Sequence, residues 1–417
     1  MTRASDRVSF LGVLRIREFR ALWLAELLSV LGDQLARVAL AVLVFQRTDS
    51  AALTGLTYAL TFVPSLIGGV LLAGWGDRRS RREVMVTADV IRAVLLALMI
   101  IPGVPLWVLC ILVAAVTLFA GPFKAAQQAL LPDVLPGERY MVGMAIRNIT
   151  SQSVQVVAFA GGGVLVAVVT PTVGLAIDAA TFAVSAILIW RGVRWRPTPA
   201  RVAPLGSGWR SFAAGTAVGA RAVWRDPALR TLLALNWLAG FYIVPEALAA
   251  PFAASIGAGA AAVGWLMAAD PIGSVAGAVV FGRWVPEPVQ VRALGLLGIA
   301  AGVPLVLCVL RPGLAPAIVL FALSGMLATG YNIQGTVSFV RRLPDDQRAQ
   351  GCGLNSSGLI TVQGLGALAA GVLADLVGPA HAIAVAGAAG ALVAVPIAVA
   401  WSRAGRGAAP AVVKGAV

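Results

Sequence analysis

Long apolar runs recur along this chain and restrict what it can fold into. Between two of them lies GWGDRRSRRE, residues 74–83, with six charges in ten positions. A helix of about 20 apolar residues crosses the ~30 Å of hydrocarbon in a bilayer. The chain is 59% hydrophobic and 12% charged, about half the charged share of a soluble domain. It is therefore predicted to be an integral membrane protein.

The apolar runs predict twelve transmembrane helices. No segment alternates polar and apolar residues as a barrel strand does, so the fold class is an all-α membrane protein. The predicted spans are 22–45, 53–75, 84–101, 105–122, 142–169, 172–190, 230–254, 261–281, 293–310, 314–335, 354–376 and 379–401.

Lysine and arginine lie almost entirely on one side of these spans. The loops of the other side receive only Arg47 and Arg311. Positive residues concentrate in cytoplasmic loops. The sequence therefore predicts a multi-pass membrane protein with both termini in the cytoplasm. The net charge of +14 reflects these loops and gives no reason to expect a nucleic-acid partner.

The two halves of the chain resemble each other. FRALWLAELL at 19–28 is similar to LRTLLALNWL at 229–238, and LPD at 131–133 recurs at 343–345. Matches in order at half the chain length indicate two six-helix pseudo-repeats. The predicted divisions are an N-terminal half, 1–190, a cytoplasmic linker, 191–228, a C-terminal half, 229–402, and a tail, 403–417. WRSFAAGTAVGARAVW in the linker is typical of an amphipathic interfacial helix.

The charged turn resembles the signature turn between helices 2 and 3 of the major facilitator superfamily. Ala73 and Ser80 replace its two glycines. TADVIRA at 87–93, KAAQQALLPDVLP at 124–136 and AIDAATFAVSA at 176–186 resemble the branch of macrolide efflux pumps, the enterobactin exporter and lysophospholipid transporters. The residues that match the signature turn are Asp77, Arg78, Arg81 and Arg82.

The resemblance implies that this turn is a conformational latch at the cytoplasmic face. Asp77 would face the N-terminus of helix 11 near residues 352–355, where a helix dipole favours an anion. The arginines would pair with acidic groups nearby. The alternative is that these residues only fix the topology of the turn.

Charges inside membrane helices are candidates for function because they are costly to bury. Glu26, Asp33 and Arg37 share one stripe of helix 1, since steps of seven and four residues nearly complete whole turns. Asp33, near mid-membrane, is the leading candidate for proton coupling; Glu26, Arg37 and Glu246 are further candidates. The alternative for Asp33 is a permanent ion pair with Arg37 that only holds helix 1.

The resemblance also implies that helices 1, 4, 7 and 10 line a central cavity. Asp89 and Arg92 on helix 3 are then expected to form an i,i+3 pair, and Asp178 on helix 6 a buried hydrogen bond, all with a structural role. A helix break is considered at Asp270 and Pro271. The antiporter motif G-P-x-x-G-G is degenerate here, AFAGGG at 158–163. Candidates for the substrate cavity, with helix packing as the alternative, are Trp23, Asn236, Trp237, Tyr242 and Tyr331.

The resemblance implies a secondary active transporter of a bacterial inner membrane that works by alternating access. It would export, driven by protons, a lipophilic or amphipathic small molecule such as a drug, a macrolide-like compound or a siderophore. The alternatives are an uncoupled facilitator, a lysophospholipid flippase, or a non-transporting membrane sensor. The expected partners are the substrate, protons and the lipid bilayer. No enzymatic activity, cofactor or metal is expected, and the protein is expected to be a monomer.

Overall fold

Apolar helices of membrane-spanning length account for most of the fold. The computed structural model describes residues 10–72, 79–197 and 209–407, which are helical without any strand. Eleven of the helices in these ranges are long and apolar enough to cross a membrane. Arg81–Met99 is a twelfth long helix, of 19 residues, and its polar side chains lower its hydropathy. It packs along two of the other spans, so the predicted twelve-helix architecture is confirmed.

The spans are numbered in chain order. A short helix, Phe10–Leu14, precedes them, and a linker helix, Trp209–Arg225, separates the first six, called the N-terminal set, from the last six, the C-terminal set. The spans are α1 Arg17–Thr48, α2 Ala51–Leu71, α3 Arg81–Met99, α4 Leu106–Val134, α5 Glu138–Val168, α6 Pro171–Gly192, α7 Pro227–Ala247, α8 Ala260–Trp284, α9 Glu287–Leu310, α10 Leu314–Arg342, α11 Arg348–Val377 and α12 Pro379–Gly407.

Polar side chains cap the helices where the chain enters the bundle. Ser80 and Glu83 form a reciprocal capping box at the start of α3, which satisfies backbone N–H groups that a helix end leaves free. Asp226 caps α7 and also accepts a hydrogen bond from Arg342 at 2.6 Å. Although partial burial opposes it, the Arg342 guanidinium holds the pKa of Asp226 below its usual value.

Proline positions do not coincide with the helix breaks expected from the sequence. α8 continues through Pro271, so the break considered beside Asp270 is absent and that expectation is wrong. α2 is instead interrupted between Ala59 and Val63, and α7 is divided into short helices. α4 continues past Pro122, so the predicted end of that span at residue 122 is also wrong.

The two helix sets meet most closely towards one end of the bundle. We call the end with most arginines the arginine-rich end and the other the arginine-poor end. A methyl group on Gly163 of α5 would lie 2.6 Å from the Cα of Gly264 in α8, and one on Gly55 of α2 would lie 2.5 Å from the carbonyl oxygen of Ala367 in α11. Both contacts require glycine, and both lie in the arginine-poor half, which is therefore closed.

Candidate functional site

A cavity of about 280 Å³ lies within the bundle, close to the lower end of the range of small-molecule pockets. It is lined by five helices of the N-terminal set and by Ile360 and Gln363 of α11. Its walls combine apolar side chains with a concentrated group of charges. The charged residues that line it are Asp33, Arg37, Arg92, Lys124 and Asp178.

Asp33 forms an ion pair with Arg92 of α3, which lies 2.9 Å away. Arg92 also faces Asp89 at 3.8 Å, and Asp89 accepts a hydrogen bond of 2.6 Å from Ser185 of α6. The Arg92 guanidinium lies 3.8 Å from the centre of the Phe182 ring. We call Asp33, Asp89, Arg92 and Ser185 the α1–α3 cluster. It connects three helices of the N-terminal set.

The partner of Asp33 differs from the alternative considered in the sequence, a pair with Arg37. Arg92 is 4% exposed and Asp33 is 38% exposed, so water reaches the carboxylate and not the guanidinium. The expected i,i+3 pairing of Asp89 with Arg92 is present. Arg92 therefore supports the helices, as expected, and in addition lines the cavity, which was not expected.

Asp178 is buried where α6 crosses α1. A methyl group at Gly32 would lie 2.1 Å from the Asp178 Oδ1 atom, so the absence of a side chain at Gly32 permits this contact. The Thr181 hydroxyl lies 2.7 Å from the backbone carbonyl of Asp178 and 3.3 Å from its carboxyl. The expectation of a buried, hydrogen-bonded Asp178 agrees with this geometry.

Two cations of the cavity make no ion pair among the described residues. The Arg37 guanidinium lies over the Phe62 ring, 4.8 Å from its centre. Lys124 is solvent-accessible although protein surrounds it on nearly all sides, so its exposure is to the cavity. Lys124 was assigned to a cytoplasmic loop from the sequence. The signal that was missed is the run AAQQAL after it, which contains no turn residue.

Glu26 lies about two helical turns from Asp33, towards the arginine-rich end, and forms an ion pair with Arg147. Arg147 of α5 donates to its carboxylate at 2.8 Å, and the same guanidinium group donates to Gln127 at 3.0 Å. This pair joins α1 to α5, and a role of Glu26 in proton coupling stays a prediction.

Glu246 belongs to a second group of titratable side chains, which lies where α7 and α8 meet the closed half of the bundle. Among the described residues, Glu246 and Asp270 make no ion pair within 4.0 Å, and one carboxyl oxygen of Glu246 has no hydrogen-bond partner. Tyr58 of α2 faces Glu246 without reaching hydrogen-bond geometry, and the Tyr331 hydroxyl is also buried without a partner. We call Glu246, Asp270, Tyr58 and Tyr331 the α7–α8 cluster.

The five substrate-cavity candidates lie outside the lining of this cavity. Tyr242 donates to the carbonyl of Gly298 and contacts Tyr331 edge-on, and both rings are buried. Asn236 and Trp237 donate to Asn355 of α11. Trp23 donates to Thr150 of α5 at 3.1 Å. In this conformation the donor groups of the other four hold neighbouring helices together, and Tyr331 packs against Tyr242. A role of these residues in binding substrate stays a prediction.

The structure describes only part of the charged turn. Asp77 and Arg78 lie outside the described residues. Arg81 pairs with Asp133 of α4 at 2.6 Å, and Arg82 donates to the backbone carbonyl of Trp190 in α6. Both arginines therefore bind partners in the N-terminal set, and a latch at this turn stays a prediction.

A contact that the sequence did not suggest joins the two sets at the arginine-poor end. Asp375, in the last turn of α11, accepts hydrogen bonds from the Ser50 hydroxyl at 2.8 Å and from the backbone N–H groups of Ala51 at 2.6 Å and Ala52 at 3.1 Å. It thus caps the N-terminus of α2 from the opposite set, where the helix dipole favours a negative charge.

The arrangement of the helices is similar to that of solved transporters. The nucleoside transporter NupG superposes with a TM-score of 0.70 at 14% identity, covering 91% of this chain and 99% of that one. A bacterial homologue of the human lysosomal transporter Spinster, inward-facing and unoccupied, gives 0.67 at 15%, covering 94% and 98%. A POT family transporter in complex with 5-aminolevulinic acid gives 0.72 at 12%, covering 95% and 98%.

At these identities the solved structures establish the fold alone. No curated protein matches the chain in sequence. The model of the Major Facilitator Superfamily matches residues 22–252, more than half of the chain and the whole region that contains the cavity cations. The protein therefore belongs to the Major Facilitator Superfamily.

Proposed function

We propose that the protein exports a lipophilic or amphipathic small molecule from a bacterial cytoplasm by alternating access, in exchange for protons. Its family makes it a membrane transporter rather than an enzyme. The motifs at 87–93, 124–136 and 176–186 resemble the branch of macrolide efflux pumps and the enterobactin exporter, and this resemblance supports export. The loop arginines support an orientation with the arginine-rich end in the cytoplasm.

The cavity supports transport in the conformation seen here. The two sets are in close contact in the arginine-poor half, and Asp33 and Lys124 are nevertheless solvent-accessible. Water therefore reaches them from the arginine-rich side. In the proposed orientation this is an inward-facing state, ready to take its substrate from the cytoplasm.

The observation on which proton coupling rests is the position of Asp33. Its carboxylate is partly exposed, lines the cavity, and is held by a guanidinium that a second carboxylate, Asp89, also faces. When Asp33 takes up a proton, Arg92 retains Asp89 as a partner, so the charge removed from Asp33 does not leave Arg92 unpaired. Proton uptake and release at a substrate cavity is what coupled exchange requires.

The test is transport by Asp33→Asn in proteoliposomes. Uphill accumulation driven by a pH gradient should be lost, whereas exchange of labelled for unlabelled substrate at equal pH should continue, because Asn keeps the size of the side chain but cannot titrate. Asp49→Asn is the matched control. Asp49 is exposed, follows α1 outside the cavity, and should behave as wild type.

Two results would contradict the proposal. Uphill transport by Asp33→Asn at the wild-type rate excludes Asp33 as the coupling carboxyl. Wild-type exchange that never responds to a pH gradient excludes proton coupling and favours an uncoupled facilitator.

A further inference from the structure

The charges of the cavity restrict the substrate to one chemical class. Asp33 and Arg92 neutralise each other as an ion pair. Arg37 and Lys124 face the same cavity without an ion pair in the part of the chain that the structure describes. Two cations that face one cavity without a counter-ion repel each other, so an anion that enters the cavity is attracted to both.

The other acids close to the cavity do not supply this counter-ion. The carboxyls of Asp89 and Asp178 are buried. They lie beside the hydroxyls of Ser185 and Thr181. Neither forms an ion pair with Arg37 or Lys124 within 4.0 Å. Glu26 is held by Arg147, and Glu246 forms no ion pair with Arg37. Among the described residues, therefore, no carboxylate pairs with Arg37 or Lys124 within 4.0 Å, and an entering anion can supply the counter-charge.

The rest of the lining determines the shape of the ligand. Apolar side chains from α1 to α4 cover one wall of the cavity, and Thr61, Ser65 and Thr117 add a few hydroxyls. Such a wall suits a compact apolar body, which gains from leaving water. The apolar residues are Leu40, Phe62, Leu96, Met99, Val113 and Val116.

We propose that the substrate is an amphipathic organic anion, with a carboxylate or phosphate bound between Arg37 and Lys124 and an apolar body against the α1–α4 wall. Arginine and lysine bind such groups through charge-assisted hydrogen bonds. The inference rests on the proposed transport function and narrows its substrate. An outgoing anion exchanged for an incoming proton is driven by both the pH gradient and the membrane potential.

The experiment compares probes that share one ring system and differ in charge. Naphthylacetate and naphthyl phosphate are anions, naphthylacetamide is neutral, and naphthylethylamine is a cation. Affinities for the purified full-length protein are obtained from the rise in its melting temperature with ligand concentration. We expect at least one anion to bind about tenfold more tightly than the amide or the amine. Which anion binds better distinguishes a carboxylate from a phosphate substrate.

Variants assign the preference to the two cations. Lys124→Gln and Arg37→Gln should each reduce the preference for the anion to about threefold or less. Lys124→Arg should retain it, because the charge is kept. Arg292→Gln is the matched control: Arg292 is exposed in α9, outside the cavity, and its loss should leave all four affinities unchanged.

The result that would overturn the inference is an equal or tighter affinity for the amide or the amine. An anion preference that survives Lys124→Gln combined with Arg37→Gln would also overturn it, as would failure of every probe to raise the melting temperature of a folded protein. Binding is measured without transport. A charge preference in a protein that does not transport would therefore refute the proposed function and leave the anion site intact.

Discussion

The α1–α3 cluster and the α7–α8 cluster both place carboxyl groups inside the membrane. The two clusters differ in the solvent exposure and the ion pairing of these groups. Asp33 and Asp89 share a guanidinium, and Asp33 is 38% exposed to water. Glu246 is 5% exposed, and one of its carboxyl oxygens has no hydrogen-bond partner. The first cluster borders the cavity, and the second lies towards the closed half of the bundle.

The difference shows which carboxyls can carry charge in this conformation. An ionised carboxylate away from water requires a partner charge or hydrogen bonds, and Asp33 has an ion pair and solvent. Glu246 has neither, because it is 5% exposed and makes no ion pair among the described residues. Asp270 is half-buried and also makes no ion pair there. We therefore expect Asp33 to be ionised and Glu246 to be neutral while the bundle is open at the arginine-rich end.

The largest effect is expected from Arg92→Gln. The substitution leaves Asp33 and Asp89 without their shared cation, and breaking a buried ion pair from one side costs about 3–5 kcal/mol. Unfolding of the purified protein in detergent measures this loss. Arg341→Gln is the control, because its pair with Glu287 is exposed on both sides and should contribute about 1 kcal/mol or less.

The double variant Asp89→Asn with Arg92→Gln refines this prediction. Asp89 is the fully buried partner, so neutralising it should recover part of the lost stability. A loss below about 1 kcal/mol for Arg92→Gln would mean that the α1–α3 cluster is not held by charge, and the contrast between the two clusters would disappear.

The next effect concerns the contact that keeps the α7–α8 cluster away from water. Asp375→Asn weakens the charge-assisted hydrogen bonds to the N-terminus of α2, and a shift of ~1.4 kcal/mol changes the ratio of the two conformations about tenfold. We expect a cysteine at Thr57, which is buried in the α2 segment below this contact, to react faster with a water-soluble thiol reagent. The background for this measurement is a variant in which Cys110, Cys308 and Cys352 are replaced by alanine.

Asp49→Asn is again the matched control. It removes the same charge at the same end of the bundle, and Asn tolerates the left-handed backbone conformation at this position, φ 49°. Equal labelling rates in Asp375→Asn, Asp49→Asn and the parent would show that the Asp375 contact does not hold the arginine-poor end closed.

Hydropathy and charge distribution were sufficient to predict the helices, because each span must satisfy its own backbone in lipid. Asp33 was recognisable from the sequence as an intramembrane charge, but its partner was not. Arg37 lies one turn away on the same helix, whereas Arg92 is 59 residues away, and only the rotation and crossing of α1 and α3 decide between them. Such packing is a property of the assembled bundle and leaves no local pattern.

Lys124 and Asp375 were missed for a different reason. Pro122 was taken as the end of a span, yet prolines are tolerated within membrane helices when neighbouring groups satisfy the backbone. The cation two residues later was therefore assigned to a loop. The contact of Asp375 was missed because its partner Ser50 is 325 residues away in the sequence. Contacts between the two sets depend on the conformational state, which the sequence does not display.

The smallest effect, and the most direct test of the contrast, is expected from Glu246→Gln. If Glu246 is neutral here, an amide of the same shape replaces a neutral acid, and the free energy of unfolding should change by about 1 kcal/mol or less. Arg37, which lies over the Phe62 ring and forms no ion pair with Glu246 among the described residues, would lose little. The free energy of unfolding in detergent near neutral pH is measured for Glu246→Gln and, for comparison, for Asp33→Asn. Asp33→Asn should lose more stability, because Arg92 loses a partner 2.9 Å away.

A loss of about 3 kcal/mol or more for Glu246→Gln, comparable to breaking a buried pair, would show that Glu246 is ionised and held by Arg37. The two clusters would then differ in exposure but not in charge, and Glu246 would replace Asp33 as the group whose proton is governed by the closing of the arginine-poor end.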